Sequence, residues 1–177
     1  MTERIEVAAR ELGFHHVKSI DVGGIVFDRG LRKSCELNTC RKFGTNYGCP
    51  PHIGTPEECI DIVKAYSRGV LVQYIGELED SFDIEGMAAS QDVHNDKMRR
   101  LRELLKGIDG CLLLGAGPCD YCETCTAETG EPCVSPENRT SSVEAHCIDV
   151  NRTLVAAGLK YNNGQNTVSY VGLVLCG

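Results

Sequence analysis

Cysteine is the residue type that could do chemistry here, and four are set as Cys119-x2-Cys122-x2-Cys125-x7-Cys133. Three thiolates at three-residue intervals can wrap one face of an iron–sulfur cubane, and a fourth from further along closes it. Zinc sites more often use two separated Cys-x2-Cys pairs, because two knuckles readily build a tetrahedron. The triplet therefore favours a [4Fe-4S] cluster, with zinc as the alternative. The run is unlike that of two-cluster bacterial ferredoxins, where the fourth cysteine comes after three residues and precedes proline. Val134 follows Cys133 here.

A second set lies earlier, as Cys35-x4-Cys40-x8-Cys49-Pro50-Pro51, with Cys59 ten residues on. Thr55-Pro56-Glu57-Glu58 is a capping box with proline at the first helical position, so Cys59 falls in the first turn of a helix. A helix N-terminus suits an anionic centre. The expectation is a second four-cysteine centre at Cys35, Cys40, Cys49 and Cys59. The competing reading makes Cys59 a small buried hydrophobe. Cys111, Cys147 and Cys176 are expected in the core, since free cysteine is among the most buried types. Cys147 follows the second loop closely and is the best spare ligand. His52 and His146 adjoin cysteines and read either as solvated loop residues or as ligands or proton shuttles. His15, His16 and His94 are expected at the surface. Gly115-Ala116-Gly117-Pro118 lacks the Lys-Ser/Thr of a phosphate loop and reads as the turn that admits the second cysteine run.

The elements that must position these sulfurs are legible from pattern. Helices are expected over residues 3–13, 55–66, 83–106 and 142–157, the last opened by Ser141-Ser142-Val143-Glu144. Apolar runs at 69–75, 111–116 and 168–176 read as buried strands, and 17–27 as a hairpin. Residues 28–59 and 117–138 are the two cysteine loops. The sum is an α/β chain, a single domain over residues 1–177, with a small central sheet flanked by helices and two cysteine-rich metal-binding loops.

The totals narrow the class. The chain of 177 residues is 42% apolar, enough for a core without cross-links, and its eleven cysteines cannot all pair. A net charge of −7 argues against nucleic acid or an anionic membrane as partner. No apolar run approaches the ~20 residues of a membrane span. The charged first 17 residues lack the features of a signal peptide. A cytoplasmic, reducing location is expected, where clustered cysteines usually serve metal or catalysis.

The two loops differ in charge. From Asp28 to Lys42 five residues are basic (Arg29, Arg32, Lys33, Arg41, Lys42) and two acidic. From Cys119 to Glu137 five are acidic (Asp120, Glu123, Glu128, Glu131, Glu137) and none basic. Negative charge makes reduction harder, so a 119–133 cluster should have the lower potential.

Taken together, Cys35-x4-Cys40-x3-Gly44-x2-Tyr47-x-Cys49-Pro-Pro, Glu57-Glu58-Cys59, the Cys119–Cys133 run and Ser142-x-Glu144-Ala145…Ile148-Asp149-Val150 resemble a known family. It is catalogued as domain of unknown function 2284, predicted metal-binding proteins of anaerobic bacteria and archaea. The resemblance spans nearly the whole chain and implies metal binding without implying an activity. The leading expectation is an iron–sulfur protein with one or two [4Fe-4S] clusters that relays electrons to a redox partner protein. Two others stay open: a reductase whose cluster has an open iron, and a zinc-stapled interaction module.

Overall fold

The computed structural model describes residues 1–108 and 110–177. Residues 69–75 are apolar at nearly every position, as a strand covered on both faces should be. They lie within β2 (Arg68–Glu77), the long inner strand of a five-stranded sheet. β2 pairs antiparallel with β1 (His16–Asp21) and with β5 (Thr167–Cys176). β3 (Cys111–Gly115) lies antiparallel to β5, and β4 (Ser141–Ser142) closes that edge parallel to β3. The order is β1-β2-β5-β3-β4.

Successive β2 side chains point to opposite faces. Val70 and Val72 meet Ile5 and Ala9 of α1 (Thr2–Glu11) and Met98 and Leu101 of α4 (Ile84–Leu104). Leu71 points the other way, toward Val63 of α3 (Pro56–Lys64) and Leu154 of α5 (Val150–Ala156). The fold is thus the expected mixed α/β domain, a central sheet with helices on both faces. A Cβ at Gly172 of β5 would stand 2.7 Å from the Met98 sulfur, so glycine there lets α4 sit down on the sheet. No helix among the described residues is long and apolar enough to cross a membrane.

Local signals explain most boundaries. The α3 capping box is complete, with Glu58 N donating to Thr55 Oγ1 at 3.2 Å and Thr55 N donating to Glu58 Oε2 at 2.8 Å. Asp83 caps α4 and Asp149 caps α5 through their carboxylates. Three expectations are corrected. Residues 17–27 form no hairpin: β1 runs into a 3₁₀ turn, Val22–Gly24, because Val22 and Ile25 turn into the core. Ser142 does accept a hydrogen bond from Ala145 N at 3.0 Å, but only a 3₁₀ turn follows, Glu144–His146. Cys147 then turns left-handed and Ile148 bridges to Phe27, which delays α5 to Val150.

The third correction is His94, expected at the surface and fully buried on α4. Its ring centroid lies 5.9 Å from that of Phe14 and 6.0 Å from that of Tyr170, and its Nε2 has no partner. Burial pushes its pKa down to about 4. The fold therefore holds the neutral ring, and the unfolded chain takes up the proton more readily. That stability is fully present above the ordinary value of 6.5 and is lost as pH falls from there toward 4, by at most about 3 kcal/mol. His94→Phe, which keeps the packed ring, should unfold less steeply with acid over this window than the wild type, as read by thermal melts at stepped pH.

Candidate metal centre

The second cysteine loop, residues 116–140, leaves the end of β3 and returns into β4. Ser141 and Ser142 pair in parallel with Leu114 and Gly115, so both ends of the excursion are fixed side by side. Between them the chain has only two 3₁₀ turns, Thr126–Glu128 and Pro136–Asn138. α4 holds the loop from the side. Asp120 accepts from Arg99 at 2.8 Å and from Asn95 at 3.0 Å, and Arg102 donates to the Glu137 carbonyl at 3.2 Å.

The first loop is tied at its start by Asp28 N, which donates to the Cys147 carbonyl at 2.7 Å. Within it a short helix absent from the sequence pattern, α2 (Leu31–Glu36), carries Arg32 and Cys35. Beyond α2 the backbone turns left-handed at Asn38, Arg41 and Gly44, with φ of 54, 58 and 74°. Two of these are not glycine, a conformation that costs on the order of 1–3 kcal/mol and gathers at functional sites. The N–H groups at these three positions are taken up inside the loop, by the carbonyls of Cys35, Asn38 and Pro50.

Asn46, Tyr47 and Gly48 clasp the two loops together. Asn46 is buried; its Nδ2 donates to the Cys119 carbonyl at 2.9 Å while its Oδ1 accepts from Gly48 N at 2.9 Å. Tyr47 N donates to Cys125 Sγ at 3.4 Å, and the Tyr47 hydroxyl donates to the Glu131 carbonyl at 2.6 Å. A Cβ at Gly48 would lie 2.0 Å from Thr140 O and 2.8 Å from Cys119 Cβ. No side chain fits that gap.

Burial pushes the Cys122 thiol up, and the charges of Cys119, Cys133 and Cys125 add to that push. The Cys49 thiol is pushed up to about 12, by burial first and then by Cys40, Cys35 and Cys119. The first set therefore borders the second. Cys59 is fully buried, donating to the Ile53 carbonyl at 3.3 Å and accepting from Arg32 Nη2 at 3.1 Å. Burial raises its thiol and the Arg32 hydrogen bond opposes that. Of the three cysteines expected in the core, Cys147 and Cys176 are buried, and Cys111 is half-buried with its sulfur 3.7 Å from that of Cys176. The ring nitrogen of His52 donates to the Gly44 carbonyl at 3.0 Å, and His146 is buried with Nδ1 donating to the Ser142 carbonyl at 3.1 Å.

Among the described residues, no group of three or more His, Cys, Asp or Glu side chains closes around a metal ion as the side chains stand. A tetrahedral zinc site would draw its sulfurs to about 3.8 Å of one another, given Zn–S bonds of about 2.3 Å. A cubane is a wider body that spaces its thiolates further apart. Sequence reasoning missed the clasp and missed Arg32. Arg32 and Cys35 are three residues apart on α2 and so share a face, which was the available signal.

Two predictions follow from this geometry. Gly48→Ala should cost about 1–3 kcal/mol by lifting the first loop from the second, and should loosen metal at the 119–133 sulfurs, as read by melting and metal analysis. Thiols raised by burial stay protonated at neutral pH, so metal must displace protons. Zinc or cadmium titrations of apo-protein should therefore show affinity rising with pH, with proton release seen in weakly buffered solution. A pH-independent affinity would contradict it.

No curated protein and no solved structure matches the chain. A family model described as a predicted metal-binding protein, domain of unknown function 2284, matches residues 18–176. That match covers nearly the whole chain, and the protein belongs to this family of predicted metal-binding proteins.

Proposed function

We propose that the protein is an iron–sulfur carrier that relays electrons to a partner protein. Cys119, Cys122, Cys125 and Cys133 would hold one [4Fe-4S] cluster, and the sulfurs of the first loop, Cys35, Cys40, Cys49 and Cys59, a second. One observation carries the reading: Tyr47 N–H from the first loop donates to Cys125 Sγ of the Cys119-x2-Cys122-x2-Cys125-x7-Cys133 run. N–H donors on cluster sulfurs tune potential, and the group itself supplies one-electron chemistry when bound. The chain's part is to hold and orient it, to limit water, and to set the surrounding charge.

The charge contrast between the loops is softened by the fold. Asp120 is paired with Arg99, and Arg102 stands close enough to Cys119 to be affected by it. On the other side, Arg29 is taken up by Glu57 at 2.9 Å. The 119–133 centre still carries the more acidic surroundings and should have the lower potential, by a smaller margin than the sequence implies.

A second reading has one observation in its favour. A cleft of about 360 Å³ opens between the loops, lined in part by His52, Arg102, Arg139, Ser141 and His146. Such room, with its arginines and histidines, suits a small anionic substrate of a reductase, although none of the eight candidate ligand cysteines lines it. It requires one centre with three protein sulfurs, so four-sulfur ligation at both would end it.

Anaerobic purification followed by iron, sulfide and zinc analysis tests the leading reading. The expected result is about four to eight iron and as much sulfide per chain, with a broad absorption band near ~400 nm. Stoichiometric zinc in colourless protein would sink it. Reductive titration of variants lacking one set should give the 119–133 centre the lower potential.

A further inference from the structure

Arg32 is 5% exposed, and among the described residues it makes no ion pair. Its guanidinium donates to the Gly54 carbonyl at 2.9 Å, to the Ala145 carbonyl at 2.9 Å and to Cys59 Sγ at 3.1 Å. Its Nε has no partner. Arginine keeps its charge at every ordinary pH. A buried charge with only carbonyl dipoles around it is costly, and such groups are found paired with an anion. Three thiols and His146 stand near Arg32, and Glu57, Glu58 and Glu144 lie near the same thiols without pairing with it. Cys59 touches it, Cys35 lies one helical turn along α2, and Cys147 lies two residues beyond Ala145.

Cys147 carries a second, independent sign. It is fully buried at φ 59° and ψ 25°, in the left-handed region. Glycine or asparagine would sit there more readily. The conformation is over-determined by neighbours: the Cys147 carbonyl accepts from Asp28 N, and Phe27 bridges Ile148 next door. Backbone strain maintained this way collects at working sites. The turn brings the thiol to the guanidinium between α2 and α3, both of which pack on the Glu144–His146 turn.

We propose that Arg32 is the fixed counter-charge of an anionic sulfur site built from Cys35, Cys59 and Cys147, and that Cys147, which the loop spacing leaves out, is a ligand of the first metal centre. The metal it takes is a thiophilic one, bound as the iron of a cluster or as a d¹⁰ cation. Binding converts thiols to thiolates with release of their protons, and no electron is transferred. Arg32 is a positioning residue: it holds Cys59 and neutralises charge without touching the metal.

The inference rests on the metal-centre reading, and cadmium separates the two. Apo-protein is loaded with Cd²⁺ and challenged with a chelator. Cys147→Gly, which suits the left-handed backbone, and Cys147→Ser should each hold one Cd²⁺ equivalent about 10–100-fold more weakly than the wild type. Arg32→Gln should weaken the same equivalent, and Arg32→Lys, which keeps the charge, should recover part of it. A role in packing alone would not show that recovery. Cys176→Ala, a buried cysteine away from the loops, should leave it unchanged, and circular dichroism of each apo variant reports folding. Cys147 variants that retain Cd²⁺ as tightly as the wild type overturn the proposal, as does an Arg32→Gln without effect. A wild type without iron and sulfide after anaerobic preparation ends the cluster reading and leaves the Cd²⁺ comparison decisive.

Discussion

Gly48 leaves no space for a side chain between the Thr140 carbonyl and Cys119, and this contact makes two distant cysteine loops into one surface. Everything proposed for the metal centre depends on it. Asn46 beside it is buried and hydrogen-bonded at both ends of its amide, which is the condition under which a polar side chain can be buried at low cost. Tyr47 then presents its N–H to Cys125 from the other loop. A ligand on one loop is thus aligned by backbone from the other, and a change at either centre should be felt at its neighbour.

The sheet makes that alignment durable. β2 and β5 are covered on both faces, and their side chains divide cleanly between α1 and α4 on one side and α3 and α5 on the other. Such a core moves little, so the edge formed by β3 and β4 is a fixed base for irregular chain. Chemistry is commonly carried on loops held by a rigid scaffold. The exposed pair between Arg99 and Asp120 contributes little to stability, as surface ion pairs do, but it orients the chain at Cys119.

Charge is arranged more closely than the loop compositions suggest. The acidic second loop lies against two arginines of α4, and the basic first loop loses one arginine to Glu57. Arg32 alone goes inward, and it goes to sulfur rather than to carboxylate. A guanidinium buried against thiols is a strong local field at any centre they form, because the low dielectric there screens it weakly.

The elements with strong local signals were legible. The capping box placed α3, the apolar runs placed β2, β3 and β5, and Asp83 began α4 where the pattern did. The same signal misled at Ser141–Glu144, since Ser142 caps a turn that Cys147 and the Phe27–Ile148 bridge then divert. His94 read as surface because the inward face of a helix is chosen by its neighbours in space. By itself the sequence determined which residue types could bind metal, their spacing along the chain, and the mixed α/β class, because these are properties of contiguous residues. Only the tertiary structure decided that the loops interlock and that Arg32 and Cys59 are buried side by side. Those facts depend on packing between residues tens of positions apart, for which local pattern carries no information.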